Sequence, residues 1–196
     1  GAMRQMTWGS PVYGSTLESG IPQKATTWYF AEGATNVFSL FYLIQNPSAT
    51  DAEVTLTHLL EGGAAPVVQT VTVPAASRRT FNINEVPGLA TAALSTVITS
   101  TVPVVAERAM YLNSTQSLGA GTAGRGATAL STTWSLAEGS TGFFHTYLLL
   151  GNPNAGEAIV TVRYQLPDGT SFDKEYPVPG QSRRTVDVNF EDARLA

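Results

Sequence analysis

Val54-Thr55-Leu56-Thr57-His58 alternates larger, mostly apolar side chains with threonines at every second position. Period two sends successive side chains to opposite faces, so the stretch reads as a half-buried strand and not as a helix. Phe81 and Ile83 alternate with Thr80 and Asn82 in the same way, and Val160 and Val162 with Thr161 and Arg163. Working outward, Asn46-Pro47, Gly62-Gly63, Pro74 and Pro87-Gly88 punctuate the pattern as turns. Strands are expected near 27–31, 37–46, 52–60, 66–73, 78–83, 93–100 and 103–112. Short strands at about ten-residue spacing, enriched in β-branched and aromatic residues, predict an all-β fold of the immunoglobulin-like antiparallel sandwich type. No stretch carries helical periodicity.

The strands belong to an internal repeat. Trp28-Tyr29-Phe30-Ala31-Glu32-Gly33 returns as Trp134-Ser135-Leu136-Ala137-Glu138-Gly139, an offset of 134 − 28 = 106. Phe41-Tyr42-Leu43-Ile44-Gln45-Asn46-Pro47 returns as Tyr147-Leu148-Leu149-Leu150-Gly151-Asn152-Pro153 at the same offset. Val73-Pro74 with Ser77-Arg78-Arg79-Thr80 returns as Val178-Pro179 with Ser182-Arg183-Arg184-Thr185 at an offset of 105, so one residue is lost near the Gly62-Gly63 and Asp168-Gly169 turns. A third fragment, Arg4-Gln5-Met6-Thr7-Trp8, lines up with Arg108-Ala109-Met110-Tyr111-Leu112 and reads as the last strand of a preceding copy. Two tandem modules are therefore expected.

Ala196 corresponds to about Ala90, so the segment reads as excised from a longer array, with Gly1-Ala2-Met3 as an expression scar. The division that agrees with both ends is 4–90, a truncated copy, and 91–196. The alternative is 28–112 and 132–196, joined by a Gly/Ser-rich linker at 113–131.

Composition narrows the class. The 196 residues are 43% hydrophobic and 13% charged with a net charge of −4, which describes a folded chain and not a disordered tail. No apolar run reaches the roughly 18 residues of a membrane helix, and the scattered Lys and Arg argue against nucleic-acid binding. Zero cysteines remove disulfides and thiolate chemistry. About a fifth of the chain is Ser plus Thr, a surface made polar by hydroxyls where a typical domain uses about 25% charged residues; this points to export.

The set Trp-Tyr-Phe-Ala-Glu-Gly (28–33), Leu-Ile-Gln-Asn-Pro (43–47), Val-Pro-Ala-Ala-Ser-Arg-Arg (73–79), Val-Pro-Gly-Leu (86–89) and Pro-Val-Val-Ala-Glu-Arg-Ala-Met-Tyr (103–111) resembles tandem β-sandwich repeat modules of unknown function in secreted and cell-surface bacterial proteins. The second copy departs at Ser135-Leu136 and at Phe190-Glu191-Asp192, where the first has Val86-Pro87-Gly88. The resemblance implies an export-associated structural repeat and brings no catalytic residue.

Candidate chemistry is sparse. His58 and His145 align with Tyr164 and Ser39, so the repeat requires neither. Residues 119–126 are Gly-rich but lack the Lys-Ser/Thr of a phosphate loop, and read as a flexible connection. Asn113-Ser114-Thr115 matches a glycosylation acceptor by coincidence. Acidic clusters with calcium-loop spacing are lacking, so no metal or cofactor is expected.

Arg79 shares alternation with Phe81, and Arg184 with Val186, so each stem points to the core rim, where a guanidinium needs a partner. Structural ion pairs are expected between Glu32 and Arg79 and between Glu138 and Arg184, with Glu107 as the substitute for the first acid. Trp8, Tyr29 and Phe143 are the aromatics expected at the surface, where rings stack on sugars.

The expected function is a non-catalytic spacer, stalk or adhesive repeat whose partners are neighbouring repeats. The runners-up are a carbohydrate- or cell-wall-binding module using the exposed rings, and a module that exchanges strands with another copy.

Overall fold

The computed structural model describes residues 1–9, 14–112 and 119–195; the Asn113-Ser114-Thr115 triplet lies outside the described residues. The chain is all-β with antiparallel sheets, consistent with a β-sandwich. A hairpin of β1 (Met3–Trp8) and β2 (Gly14–Ser19) precedes β3 (Ala25–Phe30), β4 (Phe38–Asn46), β5 (Ala52–Leu60), β6 (Val67–Val73) and β7 (Ser77–Asn82). Then follow β8 (Leu94–Leu112), β9 (Gly121–Arg125), β10 (Tyr147–Asn152), β11 (Ala158–Gln165), β12 (Ser171–Val178) and β13 (Ser182–Asp187). Short 3-10 turns at Ile83–Glu85 and Val188–Phe190 follow β7 and β13, so Ile83 leaves the strand it was expected to end.

β8 organises the first copy. It was expected as two strands, 93–100 and 103–112, but it is one strand of 19 residues. Leu94, Thr96 and Ile98, then Val104, Ala106, Arg108 and Met110, are all buried, so the inward parity runs through without a change of phase. The first half pairs with β5 and β3, the second with β4 and β9. Pro103 sits between the halves, where its missing N–H interrupts no ladder bond the strand uses. β6 lies outside β5 and β7 outside β4.

One hydrophobic core joins these strands, with Trp28, Leu40, Tyr42, Ile44, Leu56, Ile98 and Met110 among its buried members. The expected boundary at 90/91 would part β8 from the strands it is bonded to: pairing and core place residues 94–112 with residues 25–82. The expected linker is corrected too. Residues 121–125 form β9, with Glu107 opposite Arg125 and Tyr111 opposite Gly121. Gly121 in this strand and Gly126 just after it serve close packing, since a Cβ at Gly121 would come within 2.8 Å of Thr16 and Trp8, and one at Gly126 within 2.9 Å of Phe30.

The second copy forms two separate ribbons, β10 with β13 and β11 with β12. No described strand runs between them as β8 runs between β4 and β5. Trp134, the counterpart of the buried Trp28, is 65% exposed, and Leu136, Phe144 and Ile159 are exposed with it.

Candidate functional site

The sequence Ala31-Glu32-Gly33 leaves β3 and turns against the start of β8. Leu94 N–H donates to the Gly33 carbonyl at 2.8 Å. A Cβ at Gly33 would lie 2.8 Å from Leu94 Cδ1 and 3.2 Å from the Leu94 carbonyl oxygen, so any larger residue would have to displace the buried Leu94 side chain. Two carbonyls, Gly33 and Leu94, are thereby presented side by side, and Glu61 stands at the end of β5 with its N–H bonded to Ala93 at 3.1 Å.

The second copy fills this receptor with its Ser-Arg-Arg-Thr segment. Arg183 Nη1 donates to the carbonyls of Gly33 and Leu94, each at 3.0 Å, and Arg183 is only 3% exposed. Its Nε lies 3.6 Å from the Glu61 carboxylate. That carboxylate also accepts from Thr185 N–H at 2.7 Å and Thr185 Oγ1 at 2.8 Å, and Arg183 Nη2 braces Thr185 Oγ1 at 2.5 Å. Ser182 Oγ donates to Leu60 and accepts from Gly63 N–H. Glu61 and Arg183 form a parallel bridge between the copies. Beside it, Gly151 closes on Ser95, where a Cβ would sit 2.8 Å from Ser95 Oγ.

Burial pulls the Arg183 guanidinium below its ordinary range, with the Glu61 and Glu32 carboxylates opposing the shift; guanidinium stays charged at neutral pH regardless. Two carbonyls satisfy Nη1, while the buried Nε has no hydrogen-bond partner and only faces the Glu61 carboxylate at 3.6 Å; a buried guanidinium stripped of these groups would be strongly destabilising.

The arginine that meets Glu32 is Arg108, not Arg79. Arg108 is 7% exposed, pairs with the Glu32 carboxylate and also donates to the Glu32 carbonyl at 3.2 Å. Arg79 is exposed, as Arg78 and Thr80 on either side of it are, and its Nη1 donates to the Thr72 carbonyl at 3.2 Å. Arg184 does the same to Pro177 at 3.3 Å, with its guanidinium carbon 5.2 Å from the Tyr176 ring centroid. A carbonyl at the facing edge strand lies nearer to each arginine than either expected acid. Glu138 is exposed and makes no ion pair among the described residues. Glu107 pairs with Arg4 at 2.5 Å, joining the first hairpin to the outer face of β8. The signal for Arg108 was its parity with Ala106 and Met110; the signal for Arg183 was a four-residue identity between copies.

The three candidate rings have separate surroundings. Trp8 is half-buried, edge-on to Tyr111 at 5.5 Å. Tyr29 is half-buried in a cleft of about 200 Å³ with Glu32, Arg108 and Arg125, smaller than the roughly 300–1,000 Å³ of usual ligand pockets. Phe143 is 92% exposed and edge-on to Phe144 at 5.1 Å.

His58 is a buried core side chain, bonded to Thr96 Oγ1 at 2.9 Å and Gln69 Nε2 at 3.0 Å. Burial holds it down to about 4 and pushes the neighbouring Tyr42 up to about 12. Among the described residues no group of three or more His, Asp or Glu could hold a metal ion, and no helix is long and apolar enough to cross a membrane.

No family model matches the chain, and no curated protein matches it. Among solved structures, the crystal structure of Thermotoga maritima 1070 is similar over 54% of this chain and 96% of its own, at 20% identity and a TM-score of 0.49. The Anabaena sensory rhodopsin transducer is similar over 44% of this chain and 83% of its own, at 27% identity and a TM-score of 0.39. At these TM-scores neither likeness bears on function.

Proposed function

We propose that the chain is a non-catalytic structural segment of a secreted or cell-surface bacterial protein, a spacer or stalk of tandem immunoglobulin-like β-sandwich modules. The repeating unit is 28–112, and the second unit begins near 132. The observation that carries this reading is the joint: a repeated arginine of one copy is buried in backbone carbonyls of the other, beside a carboxylate bonded to the same strand. Repeat proteins derive stability from such neighbour interfaces. The hydroxyl-rich composition supports the exported location.

Small-angle scattering of the wild type and of Arg183→Ala tests the reading. A fixed joint predicts a larger radius of gyration and a broader distance distribution for the variant; identical curves would count against an interlocked array.

A second reading, binding to a glycan or cell-wall polymer, is favoured by the exposed Phe143–Phe144 pair. Retention on insoluble cell-wall polysaccharide that is lost in Phe143→Ala would support it, and absence of retention at millimolar sites would remove it.

A further inference from the structure

Ser77-Arg78-Arg79-Thr80 and Ser182-Arg183-Arg184-Thr185 are the same four residues at corresponding places in the two copies, in opposite surroundings. Ser182 and Arg183 are buried against the first copy, whereas Arg78 and Thr80 face solvent. Arg79 has work within its own copy, bridging to Thr72, as Arg184 does to Pro177. Arg78 has none beyond bonding Thr80 Oγ1 at 3.1 Å, among the described residues. That bond is the counterpart of the brace between Arg183 and Thr185, so the exposed guanidinium already holds part of the docked arrangement. Among the described residues β7 ends the strand order beyond β4 with no strand on its outer edge, and the edge of β13 that meets Glu61 likewise pairs with no strand of its own ribbon.

We infer that residues 77–80 are the docking edge by which this module seats on a further copy of the same module, with Arg78 donating to that copy's counterparts of the Gly33 and Leu94 carbonyls and Thr80 meeting its counterpart of Glu61. The inference rests on the array reading above. The occupant is a module of this repeat because the receptor consists of two backbone carbonyls and a carboxylate, acceptors that suit a guanidinium and repel a free anion. One residue sets the tightness: Gln45 stands where the second copy has Gly151, the residue that closes on Ser95. Docking onto a module bearing Ser95 is therefore looser for the first copy than for the second.

The test mixes two full-length chains. One carries Arg183→Ala with Thr185→Ala to vacate the receptor; the other is ¹⁵N-labelled wild type presenting Arg78. Sedimentation and amide shifts are followed to millimolar concentration. Association with shifts concentrated in β7 is expected, lost when the labelled chain carries Arg78→Ala and at least threefold tighter when it carries Gln45→Gly. No association with either wild type or Gln45→Gly, or association indifferent to Arg78→Ala, overturns the inference. If the vacated chain loses its β-sheet circular dichroism, Arg183→Gln with Thr185→Ala replaces it. Scattering on the vacated chain alone separates the two ideas. A joint that stays closed without these side chains defeats the array reading and the inference together; a joint that opens while Arg78 docks nowhere defeats the inference alone.

Discussion

Trp28 and Trp134 open the same motif in the two copies, and their indoles make the same local bond, to the Ala25 carbonyl at 3.3 Å and the Ser131 carbonyl at 3.2 Å. Trp28 is 1% exposed and adds a bond to Val104 on β8, while Trp134 is 65% exposed. Asn46 and Asn152 behave differently from this pair. Each donates to three carbonyls, those of Thr50, Val73 and Pro74 in one copy and of Gly156, Val178 and Pro179 in the other, at matching distances of 2.8–3.2 Å. Asn84 and Asn189 likewise clamp the counterpart backbones of Phe38 and Phe144. Interactions whose partners lie within the same stretch of repeat are reproduced; those that depend on β8 or on another copy are not.

The comparison can be broken most sharply at the tryptophans. Trp28→Ala is expected to destabilise by about 3–5 kcal/mol in urea unfolding, the usual range for an aromatic lost from a core, whereas Trp134→Ala is expected to stay within about 0.5 kcal/mol. Comparable losses at both sites would mean that the second copy is covered in solution.

A pH effect separates His58 from Tyr164, its counterpart. His58 is held near 4 in the folded chain against 6.5 when free. The unfolded chain therefore takes up a proton below pH 6.5 that the folded chain refuses until about 4. Stability from this source is complete above pH 6.5 and declines toward pH 4, by on the order of 3 kcal/mol. Urea midpoints at pH 7.5 and 4.5 measure it, and His58→Gln is expected to flatten the profile; a slope that survives the substitution assigns it elsewhere.

Asn46→Ala is expected to cost about 2–3 kcal/mol, from bonds worth roughly 1 kcal/mol each with the carbonyls left buried. Asn152→Ala should do the same to the second copy, read by amide exchange in β12 and β13. The smallest contrast is at the glycines. Gly33→Ala meets Leu94 and is expected to lose about 1–2 kcal/mol, while Gly139→Ala has nothing within 4 Å and should be neutral.

Strand positions in the first copy were legible because alternation and turn residues are local signals. β9 was not, because glycines chosen for close approach to Trp8, Thr16 and Phe30 look like a flexible connection when those neighbours are unseen. The partner of Arg79 was not legible, since the acceptor it reaches is a carbonyl and carries no side-chain signature. The second copy holds Tyr164, Tyr176, Lys174 and Glu191 in one polar network, with Tyr176 joining Tyr164 at 2.9 Å and Glu191 at 2.8 Å. Its members are scattered over 28 positions, 164 to 191, and no motif joins them.

By itself the sequence determined an all-β chain, the repeat at 105–106 residues and the side chains that knit each copy locally, because period, turn chemistry and short-range hydrogen bonds are properties of neighbouring residues. Only the tertiary structure decided that β8 belongs with the strands before it, that Arg108 takes Glu32, and that Arg183 enters the other copy while Arg78 stays outside. Those outcomes depend on which surfaces meet, and identical residues are buried or exposed according to what lies across from them.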